Sequence, residues 1–272
     1  MKITKFFVLL IICSIVIAML LFRDTEEEHI VVCRKMDKVT LQMPVEKYML
    51  GVMAAIANPE YEPECLKALA VLVRSELVSK QDGDMIVVSG NALYYEPVKR
   101  EKMYGAEQDA YEEKLASAIS KTEGMVIVSD NAIPEIHYHA LSAGMTRQVE
   151  DGKSVLCVKS MEADQFFSQT YISKVECGEI GALIKDDAGY VEEIEINGNK
   201  VSGEYFRNIH ELPSANFDIK DLGEEYLIIT RGQGHGLGMD IYYANELAKQ
   251  GYTYNQILDY FFGGFILTKI IV

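Results

Sequence analysis

The chain carries a glycine-rich stretch that runs directly into a helical pattern. It reads Arg231-Gly232-Gln233-Gly234-His235-Gly236-Leu237-Gly238-Met239-Asp240, and residues 244–251 continue it as ANELAKQG. Four glycines thus alternate with other residues around a single histidine. Glycine accepts positive φ angles and lets another backbone or a ligand approach closely. The stretch has neither the Gly-Lys-Ser/Thr ending of a phosphate-binding loop nor the spacing of a dinucleotide fingerprint, so both of those site classes are excluded.

Helical and strand-like segments alternate on either side of this stretch, which predicts a mixed α+β fold. Apolar residues at helical spacing predict helices that begin near residue 44 and cover residues 63–79, 107–121, 205–210 and 253–262. Strand-like runs fall at residues 30–33, 125–129, 133–139, 191–196, 200–201 and 226–230. The turn signals Asp130-Asn131 and Asn197-Gly198 predict two hairpins. Because no Pro/Ser-rich linker divides residues 38–272, we expect them to form a single domain.

An uncharged apolar run at residues 6–22 precedes this domain. Its length is at the short end of what spans a bilayer. Lysines before the run and acidic residues after it predict a cytoplasmic N-terminus and an extracytoplasmic domain. No small-x-small cleavage motif follows the run, so an uncleaved anchor is favoured over a cleaved signal peptide. The sequence therefore predicts a single-pass anchor in the cell membrane at residues 1–23, a linker at residues 24–37 and the domain at residues 38–272.

The net charge of the chain is −15, which argues against a nucleic-acid partner. Outside the apolar run, the cysteines are Cys33, Cys65, Cys157 and Cys177. An extracytoplasmic location permits disulfides among them, and the sequence leaves their pairing open. No CxxC spacing occurs, so the cysteine pattern gives no support for a metal site.

Four blocks of the sequence resemble, in the same order, those of the stage II sporulation protein D / amidase-enhancer family of bacterial cell-wall proteins. The first block combines EKYMLGVMAA at residues 46–55 with ECLKALAVLVR at residues 64–74. The second is HALSAGMT at residues 139–146, and the third covers residues 201–207 and 212–217. The fourth is the glycine-rich stretch with its trailing helices, through residue 264. The resemblance implies a membrane-anchored protein that acts on peptidoglycan.

The enzymatically active members of that family are lytic transglycosylases, which cut glycan strands without water. One carboxylic acid protonates the glycosidic oxygen and then, as a carboxylate, takes the proton of the sugar's own C6 hydroxyl, which closes a 1,6-anhydro ring. The family's catalytic glutamate falls directly after the Gly-Val-x-Ala-Ala run, where this chain has Ile56. Isoleucine neither donates nor accepts a proton, and loss of a general acid–base group costs roughly 10²–10⁴-fold in rate. We therefore expect the transglycosylase activity to be lost.

The alternative is an active lytic transglycosylase with a relocated acid, for which Asp240 and Glu60 are the candidates. Asp240 stands in a part of the fourth block where the family usually has a Ser-Gln pair, and this chain reads Asp240-Ile241. An aspartate at a loop-to-helix junction is more often a helix N-cap. Glu60 lies in the loop before Pro63, where a glutamate is more often a solvated residue favoured by the helix dipole.

The resemblance also implies a substrate groove on one side of the domain. Its candidate residues are His235, Gly234, Gly236, Gly238, Asp240, Arg74, Tyr48, Ser142, Arg207 and Ser214. His235 is equally compatible with a buried hydrogen-bonding role that fixes the loop. Arg207 also fits a pairing with a structural carboxylate, and Tyr48 and Arg74 fit helix packing as well.

We expect no cofactor. Some relatives bind zinc with the block-two histidine and a cysteine close behind it, and this chain has no cysteine in that place. His137 and His139, two apart on a predicted strand, are the less favoured zinc candidates because alternating histidines more often form a polar face. The expected partners are peptidoglycan glycan strands, together with another cell-wall hydrolase or sporulation membrane proteins during engulfment.

Overall fold

The computed structural model describes residues 31–35, 40–83, 85–89, 92–147 and 167–270. The predicted anchor, most of the predicted linker and Cys157 lie outside these residues. Within them, no helix has both the length and the apolar character needed to cross a membrane. Helices and strands are mixed along the described chain, which confirms the α+β class.

Five of the eight α-helices of the described residues lie close to predicted positions, and the pattern after the glycine-rich stretch predicted a sixth, whereas those at Pro97–Tyr104 and Lys174–Cys177 were not predicted. They are α1 (Val45–Ile56), α2 (Pro63–Val78), α3 (Pro97–Tyr104), α4 (Gln108–Lys121), α5 (Lys174–Cys177), α6 (Gly203–Ile209), α7 (Ile241–Lys249) and α8 (Tyr254–Phe262). Proline occupies the first turn of α2, where its missing N–H costs nothing. Thr253 and Gln256 form a capping box at the start of α8.

The strands belong to small sheets rather than to one large sheet. They are β1 (Val31–Lys35), β2 (Thr40–Pro44), β3 (Gln81–Asp82), β4 (Met85–Ser89), β5 (Met125–Val128), β6 (Tyr138–His139), β7 (Phe167–Ser173), β8 (Ile180–Lys185), β9 (Val191–Ile196), β10 (Asn199–Ser202), β11 (Phe217–Asp221), β12 (Glu225–Arg231), β13 (Met239–Asp240) and β14 (Ile266–Lys269). The sheet orders are β2-β1-β4-β3, β10-β9-β8, β11-β12-β7, β13-β6 and β14-β5. Strand β1 falls in the stretch predicted as linker, and it pairs with both β2 and β4.

The first of two hydrophobic cores is built around α2. Residues on nearly every side of α2 are buried, including Leu66, Leu69, Val73 and Leu77 of the predicted inward face. Helices α1, α4, α7 and α8 and the sheet containing β1 contribute the other side chains. A helix that is apolar around most of its circumference belongs at the centre of a domain, since it can then bury all of its faces.

The second core lies between the two three-stranded sheets and α6. Phe206 of α6 packs against Phe217 of β11, with ring centroids 5.3 Å apart. Val191 and Ile194 of β9 and Ile228 of β12 complete this core from the sheets. Because the glycine-rich stretch leaves β12 and enters α7, it connects the second core to the first.

The hairpin predicted around Asp130-Asn131 is only partly confirmed. Asp130 and Asn131 adopt φ angles of 50° and 64°, and Ser129 bridges to Ala132, as a tight turn requires. The chain then leaves the hairpin, and β5 pairs with β14 instead. Of residues 133–139, only β6 is a strand, and its partner is β13. The second predicted hairpin, at Asn197-Gly198, is confirmed by β9 and β10.

Cys33, Cys65 and Cys177 are buried free thiols. No disulfide therefore joins any two of these three cysteines. Burial raises the pKa of the Cys65 thiol well above its usual range, and the carboxylates of Asp240 and Glu62 add to the shift. Cys65 is consequently an inert packing residue at neutral pH.

Candidate functional site

The four glycines of the fourth block adopt backbone conformations that other residues rarely reach. Gly232, Gly234, Gly236 and Gly238 have φ angles of 73°, 110°, 80° and 68°. Each also presses against a neighbouring segment, so that a Cβ atom at Gly238 would overlap the carbonyl of His137 and one at Gly236 would overlap the ring of Tyr190. The alternating glycines are therefore required both by the path of the loop and by close packing.

Backbone hydrogen bonds fasten this loop to the second and third blocks. Leu141 and Gln233 exchange two N–H···O bonds, of 3.0 and 2.7 Å. The N–H of Arg147 donates to the carbonyl of Gly236 at 2.7 Å, and the N–H of Gly234 donates to that of Pro213 at 2.9 Å. Three blocks that are far apart in the sequence thus meet at one place.

Three histidines gather above this loop. The ring of His235 lies 5.9 Å from that of His137 and 5.7 Å from that of His139, measured between centroids. His139 is buried, and its Nδ1 lies 2.9 Å from the carbonyl oxygen of Leu237. Its Nε2 is also buried and has no hydrogen-bond partner among the residues that the structure describes. The cluster therefore contains one buried ring nitrogen whose hydrogen-bonding capacity is not used by the described residues.

The imidazole of His235 is held neutral. Its Nδ1 accepts a hydrogen bond from the N–H of Leu237 at 3.0 Å, which places the proton of the neutral ring on Nε2. Burial, together with the nearby His139, His137, Arg207 and Arg147, lowers the pKa of His235 to about 4. At neutral pH, His235 can therefore donate a single N–H to a ligand oxygen.

Two arginines and two carboxylates flank the histidines. Arg147 Nε donates to Asp186 Oδ2 at 2.6 Å, and its guanidinium carbon lies 5.0 Å from the centre of the Tyr190 ring. Arg207 Nη1 donates to Glu204 Oε2 at 2.9 Å, as expected for a pairing with a structural carboxylate. The other oxygen of Glu204 lies 3.6 Å from Arg147 Nη1, so this carboxylate bridges the two arginines.

Arg147, Asp186, Tyr190 and Glu204 were not among the predicted site residues. Arg147 directly follows the second block, and Glu204 lies inside the third, so proximity to those blocks was an available signal. Asp186 and Tyr190 lie between recognised blocks, and no motif marks them.

Asp240 occupies the N-cap of α7. Its Oδ1 accepts a hydrogen bond from the N–H of Tyr243 at 2.9 Å, and its Oδ2 accepts one from the N–H of Ser142 at 2.8 Å. The residue has no exposed surface. The backbone N–H of Ser142 therefore helps to hold this carboxylate in place. The arrangement is that of a helix cap which also fixes the second block.

Ile56 is the last residue of α1 and is half-buried against the first core. The loop that follows Ile56 contacts α7, where the N–H of Glu62 donates a hydrogen bond of 2.7 Å to Asn245 Oδ1. Glu60 lies in the same loop. Its carboxylate is exposed and accepts a hydrogen bond of 3.3 Å from the hydroxyl of Tyr111 in α4.

Two of the predicted groove residues are core residues instead. Arg74 has no exposed surface and pairs with Glu46, because the first core surrounds α2 on that side. Tyr48 is 1% exposed and stacks on Tyr94 with a centroid distance of 4.8 Å. Ser214 is also buried, and its hydroxyl accepts a hydrogen bond from the N–H of Asn216 next to the glycine loop.

The histidine cluster does not match a metal centre in the part of the chain that the structure describes. No group of three or more histidine, cysteine, aspartate or glutamate side chains there is arranged to hold a metal ion. Nδ1 of His139 is engaged by a carbonyl, and Nε2 of His137 lies 3.5 Å from Glu135 Oε1. Nε2 of His139 is left without a partner among the described residues, so zinc at His137 and His139 stays a prediction.

Comparison with known proteins gives the family context of this geometry. The model of the stage II sporulation protein family matches residues 34–128, which include α1, α2 and Ile56. The stage II sporulation protein D of Bacillus subtilis (strain 168) is 26% identical over 82% of this chain and 74% of its own length. That of Bacillus amyloliquefaciens is 26% identical over 82% and 73%, respectively. An uncharacterized protein of Brachyspira hyodysenteriae is 22% identical over 83% and 67%. Residues 34–128 thus match the stage II sporulation protein family, and most of the chain is similar to stage II sporulation protein D.

Proposed function

We propose that this protein is a membrane-anchored, peptidoglycan-binding protein that acts in wall remodelling during sporulation, at engulfment, without cutting glycan strands itself. It binds strands in the cleft above the glycine loop, or assists another wall hydrolase there. The sporulation role is inferred from the family match and from the names of the two Bacillus relatives. The peptidoglycan substrate follows from the resemblance of the four blocks.

The observation that carries the proposal is Ile56. The resemblance assigns the single acid–base group of the reaction to this position, at the C-terminal end of α1. An aliphatic side chain at that position supplies no proton to the glycosidic oxygen and removes none from the C6 hydroxyl. Because one group serves both steps, its loss removes proton transfer from the whole reaction.

The histidine cluster and the two arginines beside it have groups suited to sugar recognition. His235 is neutral at pH 7 and presents an N–H, whereas the buried Nε2 of His139 has no partner among the described residues. The guanidinium groups of Arg147 and Arg207 lie close enough to His235 to lower its pKa. Such groups favour hydroxyl and carboxylate oxygens, both of which a glycan strand with muramic acid residues carries.

The alternative, an active transglycosylase with a relocated acid, has weaker support. Both oxygens of Asp240 accept backbone hydrogen bonds, and the residue has no surface that a substrate can touch. Glu60 is exposed, but it faces Tyr111 of α4 rather than the glycine loop. A general acid must lie within hydrogen-bonding reach of the atom that it protonates.

The test uses the full chain in nonionic detergent with glycan strands stripped of their stem peptides. Cosedimentation measures binding, and mass spectrometry detects 1,6-anhydro products. We expect binding without products, and we expect His235→Ala to weaken the binding while His210→Ala, a change at a partly buried histidine beside Phe206, leaves it intact.

Ile56→Glu is the matched gain-of-function variant, and we expect it to form 1,6-anhydro products that the native chain does not form. Products from the native chain that disappear in Asp240→Asn or Glu60→Gln would establish the alternative. Absence of both binding and products would contradict the proposal and the alternative alike.

A further inference from the structure

A pocket of about 320 Å³ lies between the first turns of α2 and the outer face of α4. Neither helix belongs to the glycine loop or to the histidine cluster. The pocket borders three lysines, Lys67 of α2 and Lys114 and Lys121 of α4. Three lysines around one cavity make this patch positively charged, although the chain as a whole has a net charge of −15.

The shape of the pocket follows from the residue spacing on α4. Ala110, Lys114, Ser117 and Lys121 recur at intervals of four, three and four residues, so they share one face of the helix. The small side chains of Ala110 and Ser117 leave space on this face, and the two long lysines stand on either side of Ser117. The result is a depression with ammonium groups at its edges.

The three lysines differ in how firmly they are held. Lys67 donates to Glu64 Oε1, and the other oxygen of Glu64 accepts the N–H of Tyr254 at 2.8 Å, so Lys67 is part of the packing between α2 and α8. Lys114 and Lys121 form no ion pair within 4 Å with any residue that the structure describes. Both ammonium groups are thus available to a ligand.

The charge balance at the pocket stays positive. Glu113 is the single acidic residue among those that line the pocket, and it is exposed to solvent. Pro63 starts α2, so the pocket also lies beside the positive end of a helix of 16 residues. A pocket with two unpaired ammonium groups and a helix N-terminus attracts an anion.

We propose that the pocket between α2 and α4 is an oxyanion-binding site, which receives a carboxylate or phosphate group from the cell-wall material outside the membrane. The lactyl carboxylates of glycan strands and the phosphate groups of anionic wall polymers share this chemistry. The site rests on the extracytoplasmic location of the proposed function, but it does not depend on strand binding at the glycine loop, since none of its residues lies there.

The experiment measures binding of two probes by equilibrium dialysis against the full chain in nonionic detergent. One probe is radiolabelled orthophosphate and the other is labelled N-acetylmuramic acid. We expect saturable binding of at least one probe, and Lys114→Gln combined with Lys121→Gln weakens it by roughly tenfold for each charge removed. The charge-preserving pair Lys114→Arg and Lys121→Arg retains it.

The matched control is Lys102→Gln combined with Lys220→Gln, which removes the same net charge from two exposed lysines outside the pocket. Binding of orthophosphate alone identifies a phosphate-bearing ligand, and binding of N-acetylmuramic acid alone identifies a glycan carboxylate. If neither probe binds saturably, or if the control pair loses as much affinity as the pocket pair, the proposal is overturned.

Thermal unfolding of each variant shows that a loss of binding does not come from a loss of fold. Failure here leaves strand binding at the glycine loop unaffected, so the two proposals are tested separately.

Discussion

The guanidinium of Arg74 binds the carboxylate of Glu46 at two points, with Nε–Oε1 at 2.6 Å and Nη2–Oε2 at 2.8 Å. The other N–H groups of Arg74 donate to the carbonyls of Ile119 and Met125, both at 3.1 Å. Since Arg74 has no exposed surface, all of its donors must be satisfied inside the protein. The pair therefore joins α1 and α2 to the end of α4 and the start of β5.

Glu46→Gln is expected to destabilise the protein strongly, because it leaves the Arg74 charge buried without its counter-charge. Removing one partner of a buried pair costs about 3–5 kcal/mol. The partial exposure of Glu46 places the expected loss near the lower end, at about 3 kcal/mol. Urea unfolding measures it. Glu246→Gln, which breaks the exposed pair with Lys249, is the control and changes the free energy of unfolding by less than about 1 kcal/mol. Equal losses in both variants would contradict the structural role of Arg74.

Gly238→Ala is expected to displace the glycine loop. A Cβ atom at this position meets the carbonyl of His137 in addition to the strain of a φ angle of 68°. Gly251→Ala is the matched control, because Gly251 has a φ angle of 91° and open space around it. The control measures backbone strain alone, about 1–2 kcal/mol. The loss at Gly238 exceeds that of the control and also weakens strand binding. Equal losses of stability in the two alanine variants would show that close packing of the loop is not the reason for a glycine at position 238.

Asp240→Ala tests whether this carboxylate is structural. The change removes the cap of α7, worth about 1 kcal/mol, and leaves the buried N–H of Ser142 without its acceptor, worth a further 1–3 kcal/mol. Ser202→Ala removes a cap of α6 alone and is the control, with an expected loss of about 1 kcal/mol. Thermal or urea unfolding measures both. An Asp240→Ala variant as stable as the native chain would show that the two hydrogen bonds do not support the fold.

The pH dependence of stability is expected to report on His235. Its pKa in the folded protein is about 4, below the usual value of 6.5, so the unfolded chain binds more protons between these values. The free energy of unfolding therefore falls as the pH falls from 6.5 towards 4, by at most about 3 kcal/mol from this residue. Burial also lowers the pKa of His139 and acts in the same direction.

His235→Asn keeps an acceptor for the N–H of Leu237 and removes the titrating ring. We expect its free energy of unfolding to change less between pH 7 and pH 5 than that of the native chain. Measurement above pH 5 keeps the protonation of carboxylates out of the comparison. An unchanged slope would show that His235 is not held neutral by its surroundings.

Local signals predicted most of the helices correctly. Pro63 and the apolar spacing of α2, the capping residues Thr253 and Gln256, and the turn at Asn197-Gly198 all act within a few residues. The conformation of the glycine loop was predictable from local sequence as well, because its alternating glycines indicate positive φ angles.

Pairing between distant segments was not predictable in this way. The apolar runs on both sides of Asp130-Asn131 read as one hairpin, but β5 finds its partner in β14, some 140 residues later in the chain. The burial of Arg74 was not predicted either, because its partner Glu46 lies on another helix. The cluster of His235, Arg147 and Glu204 forms only after three blocks meet, so no single block shows it.

Main-chain hydrogen bonds join the glycine loop to the second and third blocks, and four of the loop residues are glycines without side chains. Exchanging the residue at position 56 alters the end of a helix and touches none of the backbone hydrogen bonds between Gly236 and Arg147 or between Gln233 and Leu141. A loop whose path is fixed by main-chain hydrogen bonds keeps its shape when the side chain at position 56 is changed. Under the function proposed above, strand binding and strand cleavage are thus separable, and cleavage can be lost or restored at position 56 without rebuilding the glycine loop.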